Sequence, residues 1–254
     1  MSKSNIEWTE MTWNPTIGCT KISEGCLFCY AEPMARRLKA MRVPKYKNGF
    51  KLTVHPMELM RPYSWKKPKT VFVNSMSDLF HPDVSIDFIR AIFEVMNNTP
   101  QHQYQILTKR SERVRAIANE VKWSANIWMG VSVENEKVIS RVPDLLNVPA
   151  KIRFLSCEPL IGPVKTLDKY INEIDWVIVG GESGAGARKL KKEWVDTILN
   201  VCKNSDTPIF FKQWGKKNNN SDVNDPTQNK SHQHYAKGGC QLDGQIYREF
   251  PISR

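Results

Sequence analysis

The chain has 254 residues, enough to bury a substantial core and long for one domain without clearly making two. Lys and Arg outnumber Asp and Glu by 37 to 26, and the net charge of +11 favours a polyanionic partner such as DNA or RNA, although such charge can also serve solubility alone. No apolar run approaches membrane-spanning length, and the N-terminus lacks the apolar segment of a secretory signal. We therefore expect a cytoplasmic protein with no membrane partner.

Short β-rich runs alternate with amphipathic stretches along the chain. Strands that alternate with helices predict right-handed crossovers and a parallel sheet. Six to seven such units fit an α/β fold with one partial or complete (β/α) TIM-type barrel, so we expect residues 1–254 to form a single domain. The β-rich runs are 11–18, 70–75, 104–110, 126–134, 151–159, 175–184 and 208–215. The stretches between them are 31–41, 85–98, 111–121, 135–146, 164–171 and 191–204.

Two segments interrupt this alternation. Residues 42–69 carry Pro, Lys and aromatic residues, include a short β-rich run at "FKLTVHP", and are typical of an insertion between the first helix and the second strand. Residues 216–240 are polar and rich in Asn, with almost no apolar anchors. That composition predicts a mobile polar loop that could cover a site.

Polar side chains follow nearly every predicted strand. A parallel barrel gathers its functional groups where strands end, so we expect one large polar site at the carboxyl edge of the sheet. Any single residue could instead be a helix cap or a solvated loop residue, as we expect for Ser85 and Ser111. The candidates are Asn74, Ser75, Ser77, Asp78, Thr108, Lys109, Arg110, Ser132, Glu134, Asn135, Ser156, Cys157, Glu158, Gly180, Gly181, Glu182, Ser183, Lys212, Gln213 and Trp214.

Three of the six cysteines lie in one short loop, "GCTKISEGCLFCYAE", at positions 19, 26 and 29. In a reducing compartment such a cluster indicates metal binding or catalysis more often than disulfides. Structural zinc usually takes four ligands, but the loop has one Cys-x-x-Cys pair, and the five histidines show no matching spacing. Three thiolates can instead hold a cubane iron–sulfur cluster and leave one iron open.

The cysteine loop resembles that of the radical S-adenosylmethionine (SAM) superfamily. There, three cysteines follow the first barrel strand, and an aromatic residue precedes the last cysteine, as Phe28 does here. The first gap is commonly three residues in the superfamily and is six in this chain. The whole chain is also similar to a phage and bacterial family of radical-SAM-like proteins with a three-cysteine motif. The stretches that carry this similarity are "WNPTIGCTKISEGCLFCYAE", "VFVNSMSDLFH", "QILTKR", "GVSVEN", "FLSCEPL", "WVIVGGESG", "FFKQWG" and "LDGQIYREFP".

The resemblance implies a [4Fe–4S] cluster and SAM as cofactors, with an electron donor such as flavodoxin or ferredoxin. The open iron would hold the amine and carboxylate of SAM, and reductive cleavage would give methionine and a 5′-deoxyadenosyl radical that abstracts hydrogen. The implied sites are Cys19, Cys26 and Cys29 for the cluster; Phe28, Gly180 and Gly181 near the adenine; Ser75, Ser77 and Asp78 near the methionyl amine; Ser132 and Glu134 for ribose or carboxylate; and Glu182 as a further cofactor contact.

The substrate that we expect is a nucleic acid or nucleotide, because the chain is basic and its Lys and Arg residues cluster beside aromatic residues. Cys157 could return hydrogen to a substrate radical or be a small buried apolar residue, and Lys109 and Glu158 are further catalytic candidates. Two alternatives remain open. One is a radical SAM enzyme that acts on a peptide or small metabolite, with or without a partner protein. The other is a metal-stabilised nucleic-acid-binding protein without enzymatic activity.

Overall fold

A computed structural model describes residues 6–184 and 186–251. Its main sheet has seven strands in the order β1-β4-β5-β6-β7-β8-β9, so consecutive main-sheet strands are neighbours. The pairings β1–β4, β4–β5, β5–β6, β7–β8 and β8–β9 are parallel. Sequential parallel strands joined by helices are the arrangement of a partial (β/α) barrel, so the predicted fold class is confirmed.

The strands are short and the helices are of ordinary length. The strands are β1 Met11–Trp13, β2 Thr16–Ile17, β3 Thr53–Val54, β4 Thr70–Val73, β5 Gln103–Thr108, β6 Ile127–Ser132, β7 Ile152–Cys157, β8 Trp176–Gly180, β9 Ile209–Gln213, β10 Gln241–Leu242 and β11 Gln245–Ile246. The helices are α1 Ala31–Ala40, α2 Ile86–Asn98, α3 Ser111–Ile117, α4 Arg141–Leu146 and α5 Lys192–Asn204. Among the residues described, no helix is long and apolar enough to cross a bilayer.

Two strands of the main sheet, β6 and β8, are buried along their whole length. Every residue of β6 and of β8 is buried, which is the pattern of a parallel sheet that is covered on both faces. The amphipathic helices α2 and α5 supply part of that cover with their buried apolar residues. Ser85 caps α2 by accepting a hydrogen bond from the Phe88 N–H (3.3 Å), as the sequence predicts.

Three details differ from the sequence-based predictions. The first predicted strand is divided at Asn14 and Pro15, and its second half pairs with β3 as a separate antiparallel hairpin. Between β7 and β8 the chain forms only two 3₁₀ turns where we expected a helix. Ser111 is not an N-cap, because it is the first residue of α3 and its hydroxyl donates to Asp144 (2.6 Å).

The chain divides into two compact units. Unit 1 runs to Ile22 and includes Cys29–Val131 and Asp144–Lys151, whereas unit 2 comprises Ser23–Phe28, Ser132–Pro143 and the chain from Ile152 onward. Unit 1 carries β1 to β5 with α1, α2 and α3, and unit 2 carries β7 to β11 with α5. The cysteine loop therefore contributes Cys19 and Cys29 to unit 1 and Cys26 to unit 2.

The polar segment 216–240 of unit 2 is organised by buried hydrogen bonds. The Asp225 carboxylate accepts from the Asn220 amide (2.9 Å) and from the Thr227 N–H (2.8 Å), and the Thr227 hydroxyl accepts from the Cys240 N–H (2.7 Å). Asp225 and Thr227 are both buried. The composition predicted a mobile loop because the segment has almost no apolar residues. In the structure, hydrogen bonds between buried polar groups connect its parts.

Candidate functional site

In unit 1, the backbone of the insertion fixes the start of the cysteine loop. Gly18 has φ +87°, and a Cβ there would lie 2.5 Å from the Lys51 carbonyl group, so this position requires glycine. The Cys19 N–H donates to the Phe50 carbonyl (3.3 Å), and the Gly18 N–H donates to the Met76 carbonyl (3.0 Å). These contacts hold Cys19 between the insertion and the segment that follows β4.

Arg110 joins the cysteine loop to the end of β5. Its guanidinium donates to the Cys19 sulfur (3.5 Å), to the Thr20 carbonyl (3.0 Å) and to the Thr20 hydroxyl (2.9 Å). The same group forms an ion pair with Asp78 (3.0 Å) in which both side chains are 9% exposed. A guanidinium in this position offsets part of the negative charge that a metal-bound thiolate carries.

Asp78 is the centre of this arrangement. Its carboxylate accepts from the Thr108 hydroxyl (2.7 Å), the Phe80 N–H (3.0 Å) and the Lys109 N–H (3.2 Å), in addition to Arg110. Burial disfavours the Arg110 charge, but Asp78 and Cys19 outweigh burial and raise the pKa of Arg110. Asp78 therefore holds the cation that contacts Cys19.

The other strand-end candidates of unit 1 have defined partners. Ser77 hydrogen-bonds the hydroxyl of Thr16 and donates to its carbonyl (3.1 Å), which ties it to β2. Ser75 donates to the Asn14 side chain (3.2 Å), and the Ser75 carbonyl accepts from the Tyr30 hydroxyl. Both serines thus connect the end of β4 to the region around the cysteine loop.

Cys29 lies at the other end of the unit 1 part of the loop. It packs against a small apolar cluster of Ile17, Ala31, Ala35 and Met76, and so do Tyr46 and Phe50 of the insertion. Cys29 directly precedes Tyr30 and α1, so the position of this thiol follows from the packing of the helix.

In unit 2, the loop residues around Cys26 pack on Glu134. The Ser23 hydroxyl donates to the Glu134 carboxylate (2.5 Å), whose other oxygen accepts from Arg141 (2.6 Å). Arg141 also donates to the Ser132 carbonyl (2.8 Å). Glu134 is 1% exposed and the Arg141 side chain is 9% exposed, so this is a buried and fully bonded ion pair. Both predicted residues, Ser132 and Glu134, thereby support the segment that carries Cys26.

Replacing Gly25 should loosen this segment. A Cβ at Gly25 would lie 2.3 Å from one Glu134 oxygen and 2.4 Å from its Cγ, so Gly25→Ala forces the loop away from the buried carboxylate. We expect a loss of about 1–3 kcal/mol in the free energy of unfolding, measured by urea denaturation. Ser23→Ala removes the hydrogen bond to Glu134 and the longer one that joins the Ser23 hydroxyl and the Cys26 sulfur (3.8 Å), and it should cost about 1 kcal/mol. Equal stability of Gly25→Ala and the native chain would contradict the close approach.

Phe28 packs beside the loop that follows β8. The Arg188 guanidinium carbon lies 5.4 Å from the centre of the Phe28 ring, and a Cβ at Gly186 would be 2.8 Å from that ring. Arg188 binds both oxygens of the buried Glu182 carboxylate, at 2.9 and 2.6 Å, and these hydrogen bonds raise the pKa of Arg188. The Phe28 side chain is 44% exposed.

Glu158, Gly180 and Gly181 come together at the ends of β7 to β9. Glu158 accepts from Lys212 (2.8 Å), and a Cβ on Gly180 would lie 3.3 Å from the Glu158 carboxylate. The Gly181 N–H donates to the Gln213 carbonyl (2.8 Å), and a Cβ there would be 2.3 Å from the Trp214 carbonyl oxygen. The two glycines let these strand ends approach closely.

Cys157 is fully buried at the end of β7. Burial and the nearby Cys202 and Glu134 raise the pKa of its thiol, so the sulfur stays protonated at neutral pH. An S–H group is the form that can return a hydrogen atom, but this thiol is not exposed to a ligand. Its catalytic role stays a prediction.

The burial of Cys157 predicts protection from alkylation. In the folded protein we expect no labelling by iodoacetamide at mildly alkaline pH, because the reactive thiolate is absent and the sulfur is inaccessible. Peptide mapping by mass spectrometry before and after unfolding in urea measures this. Labelling of Cys157 in the native state at the rate of an exposed thiol would contradict the burial.

The three loop cysteines fit an iron–sulfur cluster by their chemistry. All three are half-buried, Cys19 lies beside a cation, and thiolates are the ligands that such clusters take. Within residues 6–184 and 186–251, no group of three or more Cys, His, Asp or Glu side chains is gathered in the geometry of a metal site. The three thiols are therefore suitable cluster ligands, although among the described residues they are not gathered at the distances of a metal site.

Sequence reasoning missed three residues that support the loop, namely Arg188, Arg141 and His81, and it named Arg110 only among the polar strand ends. His81 bonds the Thr20 hydroxyl (2.9 Å). Burial, followed by the Arg110 charge, lowers the pKa of His81, so it is neutral at pH 7. Arg110 carried a signal because it is the last residue of the β-rich run 104–110, whereas the other three lie outside the predicted strands.

Seven sequential main-sheet strands and a thiol-rich loop after the first hairpin strand define an α/β protein of partial-barrel type with a candidate metal-binding loop. Residues 3–251 match the sequence model of the family described as "Protein of unknown function (DUF5131)", and the chain belongs to this family. None of the curated proteins matches the chain.

One solved structure that is similar is "Spore photoproduct lyase complexed with dinucleoside spore photoproduct". The TM-score is 0.48 with 11% sequence identity, and the match covers 79% of this chain and 62% of that one. The chain thus spans less than two thirds of the length of that protein. A similarity this remote supports no inference about function.

Proposed function

We propose that this protein is a radical SAM enzyme that acts on a nucleic acid or nucleotide. The observation that carries the proposal is the cysteine loop. Three thiols follow β1, the first strand of a sequential parallel sheet, and the hairpin strand β2. The first of them, Cys19, lies 3.5 Å from the Arg110 guanidinium. Cys19, Cys26 and Cys29 would hold a [4Fe–4S] cluster, which when bound supplies one electron for the cleavage of SAM into methionine and a 5′-deoxyadenosyl radical.

The protein's own residues would position SAM and shield the cluster. Arg110 would neutralise part of the negative charge of the thiolate set, since it lies against Cys19 and is held by Asp78. Phe28, which is 44% exposed and has Arg188 beside its ring, would offer a stacking surface to adenine. Bound electron carriers such as flavodoxin or ferredoxin would deliver the electron.

Anaerobic reconstitution tests this function. The purified chain is incubated with iron and sulfide, and then with dithionite and SAM, while 5′-deoxyadenosine is measured by chromatography. We expect a brown protein that forms 5′-deoxyadenosine. A chain that takes up the cluster without cleaving SAM would favour the metal-stabilised binding protein, and a chain that takes up no iron would refute the proposal.

A further inference from the structure

The positive charge of the protein is concentrated in one segment. Residues 31–69, here called the basic segment, consist of α1 and the insertion and contain eleven Lys and Arg residues but only two Glu. The basic segment thus carries +9 of the chain's net charge of +11. Charge that served only solubility would be spread over the surface.

Most of these cations are exposed and have no carboxylate partner. The Glu58 carboxylate binds Lys45 and Arg61, each at 3.1 Å, and is therefore already neutralised within the basic segment. Seven other cations are exposed and form no ion pair with any described residue, namely Arg37, Lys39, Arg42, Lys47, Lys51, Lys66 and Lys67. An array of unpaired cations is what binds a chain of phosphates.

The irregular backbone of the insertion, residues 42–69 of the basic segment, favours nucleic acid over a membrane surface. Beyond α1 it contains a two-residue strand and 3₁₀ turns such as Pro56–Met60 and Pro62–Ser64, whereas membrane-surface binding typically uses an amphipathic α-helix. Tyr63 is 45% exposed between Arg61 and Lys66, so an aromatic ring is available where phosphates would be held. Rings among cations suit unpaired bases, which stack on them.

The basic segment also lies against the cysteine loop within unit 1. The Phe50 carbonyl accepts from the Cys19 N–H (3.3 Å), and the Lys51 backbone is the group that Gly18 approaches closely. Phe50 packs on the same apolar cluster as Cys29. A nucleic-acid strand that is bound along Lys47 and Lys51 would consequently pass beside Cys19 and Cys29.

We propose that the basic segment binds the sugar–phosphate backbone of single-stranded DNA or RNA and leads that strand to the cysteine loop. The step from binding to modification rests on the function proposed above, but the binding itself requires no cluster. The binding surface and the chemistry can therefore fail independently.

A charge-matched pair of variants tests the surface. K47Q/K51Q/K66Q/K67Q removes four cations of the basic segment. K122Q/K151Q/K169Q/K230Q removes four exposed lysines elsewhere that form no ion pair with a described residue, so both variants have the same net charge. Affinity for a fluorescent 20-nucleotide DNA and for the RNA of the same sequence is measured by anisotropy over a series of salt concentrations, with duplex DNA and anionic phospholipid vesicles as comparison ligands.

The native chain should bind single-stranded nucleic acid more tightly at low salt than at high salt. The basic-segment variant should lose at least about tenfold in affinity. The slope of log affinity against log salt concentration should become less negative by about 0.7 for each phosphate contact removed. The control variant should stay within about twofold of the native chain. Equal losses in the two variants, or binding to vesicles but to no nucleic acid, would overturn the proposal. Formation of 5′-deoxyadenosine without nucleic-acid binding would overturn this surface alone, and binding without cluster formation would overturn the enzymatic function alone.

Discussion

Cys19→Ser, Cys26→Ser and Cys29→Ser should each reduce iron binding and SAM cleavage to background. A cluster with three protein ligands has no spare thiolate, so each cysteine is expected to be indispensable. Native protein reconstituted without oxygen should hold about four iron atoms per chain, and each variant should hold close to none. Iron and sulfide assays on the same preparations, together with the yield of 5′-deoxyadenosine, measure this.

Cys240→Ser is the matched control. Cys240 is fully buried, and its thiol donates to the His234 carbonyl (3.3 Å), an interaction that a serine hydroxyl can keep. We expect native iron content in this variant. Retention of iron by the Cys26 variant would remove Cys26 from the ligand set, and loss of iron from the Cys240 variant would show that the assay reports unfolding.

The fold was predictable because its determinants are local. Hydrophobic periodicity and the alternation of strand and helix patterns are carried by neighbouring residues, and they identified all seven main-sheet strands. Errors occurred where a local pattern was short or ambiguous. Asn14 and Pro15 divide the first strand, and two 3₁₀ turns replace a helix after β7.

The site was predictable in its residue types and not in its contacts. The cysteine motif and the polar strand ends stand in the sequence, but Arg110 is 91 positions from Cys19, and Glu134 is 111 positions from Ser23. No local pattern predicts which side chains meet over such separations. Asp78 was expected near a ligand, whereas in the structure it holds Arg110. In the same way, buried hydrogen bonds around Asp225 escaped a prediction based on composition.

Asp78→Asn should cost about 3–5 kcal/mol in the free energy of unfolding, because it leaves the buried Arg110 charge without its partner. The new amide would also point N–H groups at the Arg110 guanidinium or at the Lys109 N–H, which both donate to the native carboxylate. Arg110→Gln should cost less, about 1–3 kcal/mol, since Asp78 keeps its hydrogen bonds from Thr108 and from backbone N–H groups. Urea denaturation of each variant gives these values.

The double variant and a neighbouring arginine separate stability from the positioning of Cys19. Asp78→Asn with Arg110→Gln should lose less than the sum of the single changes, because no unpaired charge remains buried. Arg113→Gln is the matched control, since Arg113 donates to the carbonyls of His81 and Val84 in the same unit and has no bond to Cys19. Where Arg110→Gln and Arg113→Gln are equally stable, a lower iron content in Arg110→Gln alone would assign Arg110 to the support of the Cys19 thiolate. Equal iron contents in the two variants would show that the Asp78–Arg110 pair stabilises the fold only, because removal of the guanidinium would not then change iron binding by Cys19.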